Sequence, residues 1–171
     1  MIARPCAGPA LAALLVVAGC AQPSAVTGNQ ADGPARPPLE AAPEADPADE
    51  AAMHAMAQLG SPYRFGGTTP AGFDCSGLVR YSYGLAGIAL PRETGDQRRL
   101  AIPVASGEEL RPGDLLFFRR GRKGALHVGM YVGHGEFVHA PSSGGEVRIE
   151  RIEAPHWKQR FIEARRVAPP S

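Results

Sequence analysis

The chain reads as an α+β domain behind a separate N-terminal segment, and three observations carry that reading. Apolar residues recur at helical spacing only in the first part of the domain, between residues 46 and 100. From residue 111 onward they gather into short runs divided by Gly, Ser and Pro, the pattern of strands and turns. The chain has 171 residues, 44% of them hydrophobic, which suits one ordinary domain with a core. Helices first and strands after predict helices packed on a small antiparallel sheet of about five or six strands.

Residues 1–19 read as an export signal. Arg4 precedes the apolar run Ala10–Ala18, and small residues follow. That run is too short to span a bilayer as a helix. Val17-Ala18-Gly19-Cys20 resembles a bacterial lipobox, in which the cysteine is lipidated and becomes the new N-terminus. The alternative is an ordinary signal peptide cleaved after a small residue. On the lipobox reading Cys6 is lost, Cys20 carries lipid, and Cys75 is left without a partner. An exported protein that keeps one unpaired thiol usually keeps it for its chemistry. Ala21 after Cys20, where aspartate could stand, suggests delivery to the outer membrane by analogy with lipoprotein sorting.

Residues 20–50 form a Pro- and Ala-rich tether without apolar periodicity, which cannot bury enough surface to fold. Asp32, Glu40, Glu44, Asp46, Asp49 and Glu50 there face the single Arg36. The domain, residues 51–171, carries 16 Lys and Arg against 11 Asp and Glu. A moderately basic domain suits an anionic polymer or surface. Nucleic acid fits the sign, but not an exported protein, and no nucleic-acid motif is present. A monomer is expected.

The domain opens with a helix over Asp46–Leu59, capped by Asp46, started by Pro47 and stopped by Gly60-Ser61-Pro62. The loop Gly66–Gly72 follows. Asp74 then caps a second helix, with apolar side chains at 75, 78, 79 and 83, which runs to Gly84 or Gly87. Leu90–Gln97 is a turn and a short helix. Arg111-Pro112-Gly113-Asp114 is a turn leading into the buried strand Leu115–Phe118. The remaining strands are Leu126–Val132, Phe137–Ala140, Val147–Ile152 and Ile162–Val167.

Two features of this layout point to chemistry. Cys75 lies in the first turn of its helix, where unpaired N–H groups and the positive dipole end favour an anion, so its thiol is pulled toward thiolate. Leu126, Val128, Met130 and Val132 alternate with His127, so His127 points away from that apolar face. A hairpin centred on His134 sets His127 opposite Pro141 and His139 opposite Gly129. The two imidazoles are then diagonal neighbours on one face, about 7–8 Å apart at the backbone and within side-chain reach. A thiol at a helix start and a histidine pair on a strand are the parts of a base-activated nucleophile. Two other readings are open: a zinc site of Cys75, His127 and His139, or histidines that are merely satisfied polar residues of a sheet. No two of the three have the short local spacing of a metal motif, which weighs against metal. His54, His134 and His156 fall in the second class.

Phe73-Asp74-Cys75-Ser76-Gly77, His127-Val128-Gly129-Met130-Tyr131 and Phe137-Val138-His139-Ala140, in this order, resemble the NlpC family of papain-like cell-wall cysteine peptidases. The likeness covers roughly residues 52–167 and includes Ser61–Gly67, Leu90-Pro91-Arg92 with Gln97, and the tail Trp157–Phe161 with Glu163–Val167. The tail and the lipobox look most like lipid-anchored murein endopeptidases of Gram-negative envelopes. The resemblance implies a papain-like core and cleavage of amide bonds in peptidoglycan stem peptides or their crosslinks, without a cofactor. It implies Cys75 as nucleophile, His127 as base, His139 as the residue that orients His127, and Tyr63 as a donor to the oxyanion or scissile carbonyl. Arg64, Arg80 and Arg92 are candidates for gripping stem-peptide carboxylates. The resemblance also implies a periplasmic location, held to the outer membrane by the lipid on Cys20. Two alternatives remain: an amidase or acyltransferase using the same dyad, and a wall-binding module without turnover.

Overall fold

The computed structural model describes residues 45–121, 125–143 and 145–168. The export signal, Cys20 and nearly all of the tether lie outside the described residues. The last residues assigned to the tether, Pro47–Glu50, belong instead to the first helix, α1 (Pro47–Met56), whose N-cap Asp46 accepts from the Ala48 N–H at 2.9 Å. The helix ends three residues earlier than its stop signal suggests, because Ala57–Gly60 closes as a turn.

The predicted loop before the cysteine contains a two-residue hairpin, β1 (Thr68–Thr69) with β2 (Gly72–Phe73). Strands this short have no period to read. Then come α2 (Cys75–Leu85), α3 (Thr94–Leu100) and a further unpredicted strand, β3 (Ile102–Pro103). The rest is β4 (Leu115–Arg120), β5 (Ala125–Gly133), β6 (Glu136–His139), β7 (Arg148–Arg151), the single-turn α4 (Pro155–Lys158) and β8 (Phe161–Arg166). The six-stranded sheet has the order β3-β8-β4-β5-β6-β7, antiparallel throughout. This is the α+β architecture expected, with helices first and one antiparallel sheet after them.

The β5–β6 hairpin turns through Gly133, His134 and Gly135, all at positive φ. His134, at φ 54°, is the one non-glycine residue in that region among the described residues. Met130 pairs with Val138 and Tyr131 with Phe137, the register of a turn centred on His134. His127 and His139 therefore fall on the same face.

That face, away from the apolar one read from the sequence, is covered as well. One side of the sheet packs on α1 and α2 through Ala51, Ala55, Leu78, Val79, Tyr83, Leu115, Phe117, Val128 and Met130. The other is closed by a second cluster of Leu116, Phe118, Phe137, Trp157 and Ala164, with α4 as its lid. Leu115-Leu116-Phe117-Phe118 is apolar without alternation for that reason: successive residues face two different cores.

Backbone pressed on backbone holds the cysteine end of α2. A Cβ on Gly77 would stand 1.9 Å from the Gly67 carbonyl oxygen, and one on Gly67 would stand 2.2 Å from that of Gly72. The loop and the helix start thus touch without side chains between them. Gly77→Ala must push the 66–72 loop outward, and overpacking of this kind costs about 1–3 kcal/mol. Urea unfolding should show a lowered midpoint with an unchanged slope.

Candidate active site

The side chain that organises the site is Asp74. Its Oδ1 accepts from the Gly77 N–H at 2.7 Å and from the Ser76 hydroxyl at 3.3 Å. Its Oδ2 accepts from the Gly66 N–H at 3.0 Å and pairs with the Arg92 guanidinium. Arg92 also donates to the Ser76 hydroxyl at 2.8 Å. One carboxylate therefore caps α2, ties the preceding loop to it and clamps the segment before α3. Gln97 of α3 completes the clamp by donating to the carbonyls of Ser76 and Pro91, both at 2.9 Å.

Cys75 is held in this frame, 8% exposed, with Sγ 3.8 Å from Thr94 Oγ1. It lines a cleft of about 370 Å³ together with Tyr63, Phe65, Ser76, Arg92, Thr94 and Arg120. Phe65 is 87% exposed at this cleft, a large aromatic side chain left in water. The Arg120 guanidinium faces the Tyr63 hydroxyl. Partial burial raises the Tyr63 pKa, with Arg120 opposing, so the phenol keeps its proton. Of the three arginines proposed from sequence, only Arg92 lines this cleft. Arg80 donates to the Leu90 carbonyl at 3.2 Å and lines a separate groove with Tyr81 and Leu90. Arg64 is exposed, its stem laid over Gly72.

The histidines meet as the register requires. His127 Nε2 and His139 Nδ1 are 2.9 Å apart, with the rings perpendicular. Trp157 stacks on His127, with ring centroids 5.5 Å apart and planes at 25°. His139 is fully buried beside Phe137 and Trp157. Burial pulls both imidazoles well below their ordinary pKa, because the charged form loses its water there. Both are neutral near pH 7. His139 Nε2 lies 3.5 Å from Glu150 Oε1, a charge contact longer than a hydrogen bond. Partial burial alone would raise the Glu150 pKa, but the Trp157 indole and Arg148 donate to its carboxylate and hold it below the usual range. The negative charge of Glu150 on the Nε2 side favours the His139 tautomer protonated there, in which Nδ1 accepts. His127 then donates from Nε2 and keeps its lone pair at Nδ1, the state of a base.

Glu150, Trp157, Arg120 and Thr94 were not singled out as site residues by sequence reasoning. Glu150 pairs with Phe137, diagonal to His139, and only the β6–β7 register could have revealed it. The long connection between those strands gives no such register. The contacts of the described residues do not join Cys75 to His127: the thiol meets Thr94, the imidazole meets His139, and His127 lines a second pocket that shares only Arg120 with the Cys75 cleft. Among the described residues no group of three His, Cys, Asp or Glu could hold a metal ion.

A model of the NlpC/P60 family matches residues 60–166. Murein DD-endopeptidase MepH of Escherichia coli (strain K12) is 46% identical over 120 residues, 67% of this chain and 44% of that protein. The same organism's murein DD-endopeptidase MepS/murein LD-carboxypeptidase is 46% identical over 106 residues, 61% of this chain and 55% of that protein. The chain spans about half the length of these curated relatives. Among solved structures, an NlpC/P60 family protein from Bacillus cereus ATCC 10987 matches with a TM-score of 0.64 and 37% identity, over 71% of this chain and 40% of that one. An NLP/P60 family protein similar to lipoproteins, from Staphylococcus aureus, gives 0.63 and 34%, over 74% and 43%.

The buried histidine pair sets a pH dependence. Both groups have folded pKa values below the unfolded value of 6.5, so below that pH the unfolded chain binds more protons. Their contribution to stability is fully present above pH 6.5 and is lost as the pH falls toward the folded values. Each imidazole contributes a slope of up to about 1.4 kcal/mol per pH unit. Denaturant titrations from pH 7.5 to 4 should show this decline, and His139→Asn should make it shallower.

Proposed function

The chain belongs to the NlpC/P60 family, and on that premise we propose that it is a cysteine endopeptidase that hydrolyses amide bonds in peptidoglycan stem peptides or their crosslinks. The observation that carries the proposal is a thiol at the first turn of a capped helix, in a cleft that shares Arg120 with the pocket of a buried, hydrogen-bonded histidine pair. The names of the relatives, murein DD-endopeptidases in two cases, agree with the substrate class.

In this mechanism His127 takes the Cys75 proton at Nδ1, and the sulfur attacks the scissile carbonyl. The backbone N–H of Cys75, one of the free donors of the helix's first turn, and the Tyr63 hydroxyl stabilise the oxyanion. The tetrahedral adduct collapses as His127 returns the proton to the leaving nitrogen, releasing the amine and leaving a thioester. Water, deprotonated by the same imidazole, then hydrolyses the thioester and restores the thiol. His139 keeps His127 in one orientation, the role of the third member of other triads. Arg92, already fixed by Asp74, presents its remaining N–H donors to a stem-peptide carboxylate. Cys20, lipidated, anchors the enzyme to the outer membrane, and the tether lets the domain reach the wall from there. Lipid chains contribute about 0.8 kcal/mol per buried CH₂, so more than one chain holds the protein stably.

Two experiments test these assignments. Crosslinked muropeptides incubated with purified variants should be left intact by Cys75→Ala, and His127→Ala should lose roughly 10²–10⁴-fold in rate. His139→Ala should retain some turnover and His139→Asn more, since an amide oxygen can accept from the imidazole. Activity in His127→Ala beside an inert His139→Ala would reverse the two roles. Separately, Cys20→Ala should move the folded domain out of the membrane fraction in cells. Retention there after signal removal would locate the anchor elsewhere.

A further inference from the structure

The pocket that His127 shares with Trp157 has a volume of about 230 Å³ and is walled by Arg119, Arg120, Arg160 and His156. No Asp or Glu lines it among the described residues. Several arginines elsewhere have carboxylate partners, Arg92 with Asp74, Arg98 and Arg165 with Glu163, Arg148 with Glu150 and Arg166 with Asp114, while Arg64, Arg80, Arg111 and Arg151 stand apart from one another without one among the described residues. Arg119, Arg120 and Arg160 have none among the described residues. Arg160 donates to His156 Nδ1 at 2.9 Å, a ring nitrogen and not a carboxylate. Three like charges around one concavity with a Trp157 wall attract an anion, and guanidinium forks match a carboxylate.

We propose that this pocket is a subsite for the carboxylate of the residue whose amine is released. The proposal rests on the Cys75–His127 mechanism above. The imidazole that protonates the leaving nitrogen must lie within hydrogen-bond reach of it. The carboxyl carbon of that residue is two bonds beyond the nitrogen, which brings it within reach of the pocket that His127 itself lines. The volume lies below the roughly 300–1,000 Å³ of sites for drug-sized ligands, which suits a single residue rather than a polymer. The enzyme therefore prefers bonds whose leaving residue carries a free carboxylate over bonds where that group is amidated.

Trp157 is the only tryptophan of the chain, so its emission reports on this pocket. D-alanine, a minimal amine product with a free carboxylate, should change that emission saturably, while D-alaninamide at equal ionic strength should not. Arg160→Gln should abolish the response and Arg160→Lys should keep part of it. In the kinetic arm, crosslinked muropeptides with the leaving residue's carboxylate free or amidated are compared. The wild type should favour the free acid about 10- to 100-fold in kcat/KM, the worth of one charge-assisted hydrogen bond. Arg160→Gln should bring that ratio close to one, and Arg160→Lys should hold an intermediate value. Equal cleavage of both substrates by the wild type overturns the subsite while leaving the endopeptidase standing. Equal loss on both substrates in Arg160→Gln, with an unchanged ratio, also overturns it. If neither substrate is cleaved but Trp157 still distinguishes acid from amide, the pocket stands as a carboxylate site and the endopeptidase falls.

Discussion

The carboxylate of Asp74 is the constraint on which the site depends. It accepts from two backbone N–H groups in different segments, from one hydroxyl, and pairs with one guanidinium. A helix cap alone contributes about 1 kcal/mol, and hydrogen bonds to a charged group about 1.5–3 kcal/mol each. Against this, an exposed pair such as Arg99–Asp96 contributes about 0–1 kcal/mol. The difference follows from burial: Asp74 is 9% exposed, so water cannot substitute for the partners it would lose. Cys75 follows Asp74 directly, and the thiol inherits its position from a neighbour that has almost no freedom.

The histidine pair is built on an opposite principle. Asp74 is a charge fixed by partners, whereas His127 and His139 are kept uncharged by aromatic walls. In the role proposed for His127, a base must be neutral at rest and must accept a proton during reaction, and those demands conflict in an apolar enclosure. Glu150 relieves the conflict. Its negative charge lies beyond His139, where it favours an imidazolium at either ring without pairing directly to His127. Trp157 links the two arrangements, stacking on His127 while its indole N–H steadies the Glu150 carboxylate.

How far the sequence exposed this arrangement differs from residue to residue. Asp46 and Asp74 were legible as caps because capping is a local interaction, decided within three residues. The pairing of His127 with His139 was legible because a glycine-flanked turn fixes the register of its own hairpin. The second core was not, since Trp157 reaches the histidines from a four-residue helix whose position depends on the strands around it. Arginines proved the least legible. Arg64, Arg80 and Arg92 look alike in sequence, yet only Arg92 meets a buried carboxylate that turns its long side chain into the cleft. Such side chains are steered by tertiary neighbours that no local pattern contains.

The borders of the sheet have a consequence of their own. One edge is β3, two residues long and containing Pro103, which lacks an N–H. The other is β7, four residues long, with exposed Arg148 and Arg151. Open strand edges recruit other strands, and proline, brevity and charge are the devices that prevent it. On the peptidoglycan reading proposed above, the enzyme would be concentrated wherever that insoluble polymer is accessible. Copies crowded along one strip of such a surface can press side by side without their sheets fusing, so density at the work site does not turn into aggregation.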